Sequence, residues 1–192
     1  MILENLKGYN VILASKSPRR QELLKGLNID FTTQTKEVEE IFPSSLKPEE
    51  VAGYLSELKA NAFDEIQEND LVITSDTVVI NNGEVLGKPQ DREEAYQMIQ
   101  GLSGRSHQVI TGVTIKRKDL IHTFSSTTEV TFCELTEGEI DFYIDQYKPY
   151  DKAGAYGIQE WIGYIGIKEI KGSYFNVMGL PVQLLYQALK QI

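Results

Sequence analysis

The stretch NVILASKSPRRQELLKGLNIDFTTQT, residues 10–35, decides the fold class. Its first part, NVILA (10–14), is a short apolar run of the kind that forms a buried strand. Ser17-Pro18 then sets a capping residue ahead of a proline at the first helical position. Leu23, Leu24 and Leu27 give that helix an apolar side, and Gly26 marks its stop. IDFTTQT (29–35) alternates like a second strand. A strand, a helix and a strand in this order begin an α/β protein.

The alternation continues downstream. From Pro48, residues Val51, Tyr54, Leu55, Leu58 and Ala62 recur at helical spacing, with Glu49 and Glu50 in the first turn, where the dipole favours acids. DLVITSDTVVI (70–80) reads as a strand through the core, NNG (81–83) as a hairpin turn, and EVLGKP (84–89) as the return. Asp91 with Glu94 makes a capping box ahead of the apolar stripe Ala95, Met98, Ile99 and Leu102. HQVITGVTI (107–115) and TTEVTFCEL (127–135) read as two strands, with a turn at 116–119 and a third extended piece between them. Thr136 with Glu139 opens a helix carrying Ile140, Tyr143, Ile144 and Tyr147. IGYIGIKEI (162–170) reads as strand, and the residues after GLP (179–181) as a last helix to about residue 190. The order β-α-β-α-β-β-α-β-β-α-β-α predicts a mixed sheet with flanking helices. Nothing repetitive or linker-like divides the chain, so one domain is expected over 1–192.

The 192 residues carry a net charge of −9. That acidity excludes a broad basic face for a nucleic-acid polymer. It leaves room for a local basic pocket that takes a small polyanion together with a divalent cation. No run approaches the ~18 apolar residues of a membrane span. The opening MILENLKGYN has an early Glu4 and no cationic start, so it does not read as a secretory signal, and a cytoplasmic protein is expected. Cys133, the single cysteine, cannot form an internal disulfide and reads as a small hydrophobe in a strand.

Against that acidic background, Arg19 and Arg20 stand side by side in the first turn of a helix, where the macrodipole disfavours cations. A helix start presents N–H groups that attract phosphate, and guanidinium groups suit phosphate geometry. Phosphate binding and a solvated basic turn fit this spacing equally well, and the patterns of the P-loop and the dinucleotide fold are missing. Asp76, in TSDTVV (74–79), ends a long apolar strand; a carboxylate there is costly unless paired or metal-bound, which favours a site over a turn cap. EVEE (37–40) reads most simply as an exposed acidic loop, although Glu39 or Glu40 could hold a hard cation alongside Asp76. Lys59 reads by itself as a surface lysine, whereas Lys88 is held between Gly87 and Pro89. DKAGAYGIQ (151–159) packs small residues that allow close approach of a ligand, and the Gln159 amide could read a base edge; a polar loop fits it equally well. His107 and His122 read as strand residues.

In series, LASKSPRR, SDTVV, LGKP, LSG…H…TGV (102–113), DKAGAYGIQ and GLP resemble the Maf family over nearly the whole chain. The resemblance implies an elongated mixed sheet with a central cleft, like that of the inosine triphosphate pyrophosphatases. It implies hydrolysis of nucleoside triphosphates to the monophosphate and pyrophosphate. It places the catalytic aspartate at Asp76, phosphate ligands at Ser15, Arg20, Lys59 and Lys88, and a metal ligand at Glu40 beside Asp76. Magnesium or manganese is the implied cofactor, with cobalt a further option. Arg19, Thr77 and Gln159 occupy the positions that track substrate choice, and this set is similar to the dTTP/UTP branch. A 7-methyl-GTP branch has a carboxylate where Gln159 stands. The physical contrast is direct: thymine and uracil offer an acceptor beside a donor, which an amide matches, while a carboxylate only accepts. A non-catalytic nucleotide-binding regulator of cell division is the rival of a different class. A homodimer is compatible with this reading, with no interface derived.

Overall fold

The computed structural model describes residues 3–192, so Met1 and Ile2 of the opening stretch lie outside the described residues. Seven strands form one mixed sheet of order β2-β1-β3-β5-β6-β7, with β4 paired to β3. The strands are β1 (Asn10–Leu13), β2 (Thr32–Thr33), β3 (Asp70–Asn81), β4 (Glu84–Leu86), β5 (Ser106–Arg117), β6 (Leu120–Phe132) and β7 (Ile167–Lys171). The α-helices are α1 (Pro18–Lys25), α2 (Pro48–Asn61), α3 (Arg92–Leu102), α4 (Glu137–Tyr147), α5 (Trp161–Gly166), α6 (Tyr174–Met178) and α7 (Val182–Leu189). Among the described residues no helix is long and apolar enough to cross a membrane.

The chain divides into two compact units. The first holds the described residues up to Asp76, with Thr111–Ser126 and Gly179–Ile192. Its β1 runs parallel to β2 and to β3, with Leu13 opposite both Thr33 and Ile73. Since α1 follows β1 to one neighbour and α2 leads to the other, the carboxyl end of β1 is a topological switch point, the usual place for a ligand in such sheets. The helix α2 turns Val51, Ala52, Leu55, Ser56 and Ala60 inward, rather than the stripe through Tyr54, Leu58 and Ala62. Small residues win because helix and sheet approach closely: a Cβ on Gly112 would lie 2.3 Å from the Ala52 carbonyl oxygen. Thr74 donates to the Ser56 carbonyl at 2.6 Å, and the Ser56 and Thr114 hydroxyls meet at 2.9 Å.

The second unit holds Thr77–Ile110 and Thr127–Met178. The β3–β4 hairpin turns at Asn82 and Gly83, both with positive φ, as a two-residue primed turn requires. Both capping boxes form in part or whole: Glu94 N–H donates to Asp91, and Thr136 and Glu139 cap α4 reciprocally. The core packs Ile99, Leu102, Val130, Phe132, Ile140 and Tyr143.

The element order matches expectation with several corrections. The extended piece after the 118–119 turn and the TTEVTFCEL strand are one continuous strand, β6. Residues 161–166 form a helix, not a strand, with Ile162 and Gly166 buried four residues apart. The short helix α6 and a 3-10 turn at Ala153–Ala155 also appear where the sequence carried no helical period. Cys133 is exposed just past β6, because the alternation that turns Thr128, Val130 and Phe132 inward leaves the next position facing out. Asp76 lies inside β3, which continues to Asn81, rather than at a strand end.

Two outcomes follow for stability. Gly112→Ala puts a methyl group onto α2 backbone atoms, and should lower Tm by roughly 5 °C or more, read by calorimetry; an unchanged Tm would show that the helix can retreat. His107 is buried edge-on to Phe132 and Tyr156, with its Nε2 2.7 Å from the Tyr156 hydroxyl, and burial pushes the imidazole down to about 4. The unfolded chain therefore takes up a proton below about pH 6.5 that the folded chain refuses until about 4, so stability falls as pH drops through that window. Chemical denaturation of His107→Gln should show a shallower acid loss between pH 6.5 and 4.5 than the unsubstituted protein; equal slopes would remove His107 from the effect.

Candidate active site

In the first unit, four charged side chains converge past the carboxyl end of β1. Asp76 is 7% exposed in a strand whose other residues are mostly buried, and a carboxylate so placed requires a partner. Lys59 supplies it. It sits in the last turn of α2, where the helix dipole favours a cation, and its ammonium donates to Asp76 Oδ1. The same nitrogen lies 2.9 Å from Glu40 Oε1. Lys59 is thus not the surface lysine that its helical spacing suggests: its side chain is 18% exposed and bridges two carboxylates.

Arg20 enters this field from α1. Its Nε donates to the Gly179 carbonyl at 2.8 Å, and Ser75 Oγ donates to the same oxygen at 3.0 Å. Burial lowers the Arg20 pKa most, Asp76 and Glu40 nearby pull it back up, and Arg19 opposes them. The first turn of α1 carries Arg19 and Arg20 and no acid. Ser17 stands at the N-cap without a side-chain cap bond; instead its N–H donates to Ser15 Oγ at 3.1 Å. Ser15 is buried and also lines a cavity of about 250 Å³ with Lys16, Gln21, Thr33, Gln34 and Thr35.

The remaining sequence candidates belong to the second unit. Thr77 is half-buried in β3, and Lys88 is exposed beside buried Pro89, just after β4. Gln159 is half-buried in a turn closed by Glu160 N–H donating to the Gly157 carbonyl at 2.9 Å. Around that turn the sequence reading gave no functional role to Tyr143, Lys152 or Glu160. The Tyr143 hydroxyl donates to Glu160 and accepts the Gly157 N–H at 2.9 Å, while Lys152 pairs with Glu160 Oε1 at 3.1 Å. Burial, and then Glu160, push the Tyr143 hydroxyl well above the ordinary tyrosine range. Tyr143 was read only as part of an apolar helix face, and its hydroxyl left no periodic signal.

Chemically, the first unit offers two carboxylates meeting on one cationic nitrogen, with a guanidinium beside them. Among the described residues no three His, Cys, Asp or Glu side chains are grouped as a metal cage. Two carboxylates fit magnesium or manganese that shares its shell with phosphate oxygens and water.

Comparison with known proteins bears on both fold and family. A HAM1 protein from Coxiella burnetii superposes with TM-score 0.53 at 18% identity, covering 96% of this chain and 100% of that one, a likeness of fold. A dTTP/UTP pyrophosphatase from Porphyromonas gingivalis is 53% identical over 193 aligned positions, covering 98% of this chain and 97% of its own. A dTTP/UTP pyrophosphatase from Phocaeicola vulgatus is also 53% identical, with both chains covered in full. The family model described as Maf-like protein matches residues 10–192. With the family model matching residues 10–192 and these relatives aligned over nearly its whole length, the chain belongs to the Maf family.

Proposed function

We propose that this protein is a cytoplasmic nucleoside triphosphate pyrophosphatase that hydrolyses dTTP and UTP to the monophosphate and pyrophosphate. The observation that carries the reading is the convergence of Asp76 and Glu40 on the Lys59 ammonium, within the field of Arg20. Relatives named for dTTP and UTP support the choice of substrate. Residues 1–192 act in it as one functional domain.

Asp76 is the base in this scheme. It accepts a proton from the water that attacks the α-phosphorus, and the bond from the α-phosphorus to the bridging oxygen breaks as pyrophosphate leaves. Arg20, Lys59 and Lys88 bind phosphoryl oxygens and stabilise the charge that moves onto the departing group. Ser15 and the start of α1 orient the phosphates through hydrogen bonds. Arg19, Thr77 and Gln159 select the nucleoside. Glu40 and Asp76 would hold a divalent cation, which when bound neutralises phosphate charge and polarises the phosphoryl group.

Pyrophosphate release from a panel of triphosphates with magnesium tests this reading. dTTP and UTP should be turned over, and Asp76→Asn should lower kcat by at least about 10² while the protein stays folded, read by circular dichroism. Near-normal turnover by Asp76→Asn would overturn the assignment of the base, and no release from any triphosphate would overturn the activity. In the same assay, Gln159→Glu should reduce dTTP and UTP turnover far more than that of other triphosphates. Equal losses across all bases would remove Gln159 from base recognition.

A further inference from the structure

An amide is nearly symmetric in shape but not in chemistry. Turned over end to end, it presents a donor where it presented an acceptor. A glutamine that reads uracil therefore needs something to fix which end faces the base. Cytosine makes the point sharply, because its amino group and ring nitrogen present the reverse of uracil's acceptor and donor.

Beside Gln159 stands a charge able to impose that choice. From one point, the Cβ position that Gly157 lacks, the Glu160 carboxyl carbon is 2.9 Å away and Gln159 Nε2 is 3.0 Å away. The carboxylate and the amide nitrogen thus share one side of the turn. A negative group favours the NH₂ end of an amide and disfavours its oxygen. Only glycine at 157 leaves room for both.

The carboxylate is itself held from two directions. The Tyr143 hydroxyl donates to Oε2, and Lys152 pairs with Oε1 at 3.1 Å. Tyr143 is fully buried on α4, and its hydroxyl also takes the Gly157 N–H, so the side chain that fixes the carboxylate fixes the turn as well. Lys152 is 8% exposed, and Asp151 lies 2.7 Å from its nitrogen. A buried ion pair adds little net stability compared with apolar packing, yet it fixes direction. Its placement next to Gln159 gives that direction a use.

We propose that Glu160, held by Tyr143 and Lys152, is a positioning residue that fixes the orientation of the Gln159 amide and so favours uracil and thymine over cytosine. This rests on Gln159 as the base-reading residue. Glu160→Gln keeps the shape and removes the charge, freeing the amide to turn. The kcat/KM ratio of UTP to CTP should then fall about tenfold, through a higher KM for UTP with kcat within about threefold and CTP turnover unchanged or improved. Tyr143→Phe should move the ratio the same way. Should Tyr143→Phe fold poorly, Glu160→Gln decides alone. A purely structural role would lower UTP and CTP together, and such parallel losses, or an unchanged ratio, would overturn the proposal while the parent protein still hydrolyses UTP. A parent protein inactive on both UTP and dTTP would overturn the earlier reading and this one with it.

Discussion

A carboxylate inside an apolar strand is the constraint on which the first unit turns. Asp76 cannot be left charged and alone among buried neighbours of β3, and the group that neutralises it is Lys59. That pairing demands that α2 lie at a fixed height over the sheet. Polar stitches set the height: Thr74 to the Ser56 carbonyl, and Ser56 to Thr114, one helical turn before Lys59. Gly112 sets the distance, since any side chain there would collide with Ala52. A buried charge thus explains features several residues away that look, on their own, like packing detail.

The second unit solves a different problem with different means. Where the first concentrates charge around an acid, the second tunes the direction of an uncharged group. Its polar network is local in sequence, running from Tyr143 to Glu160, and is enclosed by the aromatic and aliphatic core around Phe132 and Ile140.

Much of the frame was legible in the sequence because it follows from period and punctuation. Pro18, Pro48 and the capping residues Asp91 and Thr136 begin helices where their chemistry requires. NNG gave the hairpin because asparagine and glycine accept positive φ. What periodicity could not convey was proximity. The inward face of α2 was misjudged since hydrophobicity pointed to Tyr54 and Leu58, while clearance pointed to Ala52, Ser56 and Ala60. IGYIG was misjudged because apolar residues with interspersed glycines suit a strand as well as a short helix. Asp76, Lys59 and Glu40 each carried a bland alternative when taken singly; only their meeting at one nitrogen raises them above it. The Glu160 network had no sequence signal at all, because a tyrosine hydroxyl and a neighbouring acid are ordinary in any helix and loop.

The Gly179 carbonyl receives both Arg20 and Ser75, and Gly179 follows Arg20 by 159 positions. On a ribosome adding about 5–20 residues per second, Arg20 emerges long before the oxygen that orients it exists. The first unit therefore reaches its final form late in translation. A nascent chain halted short of Gly179 would carry Arg20 and Ser75 without the carbonyl that receives both.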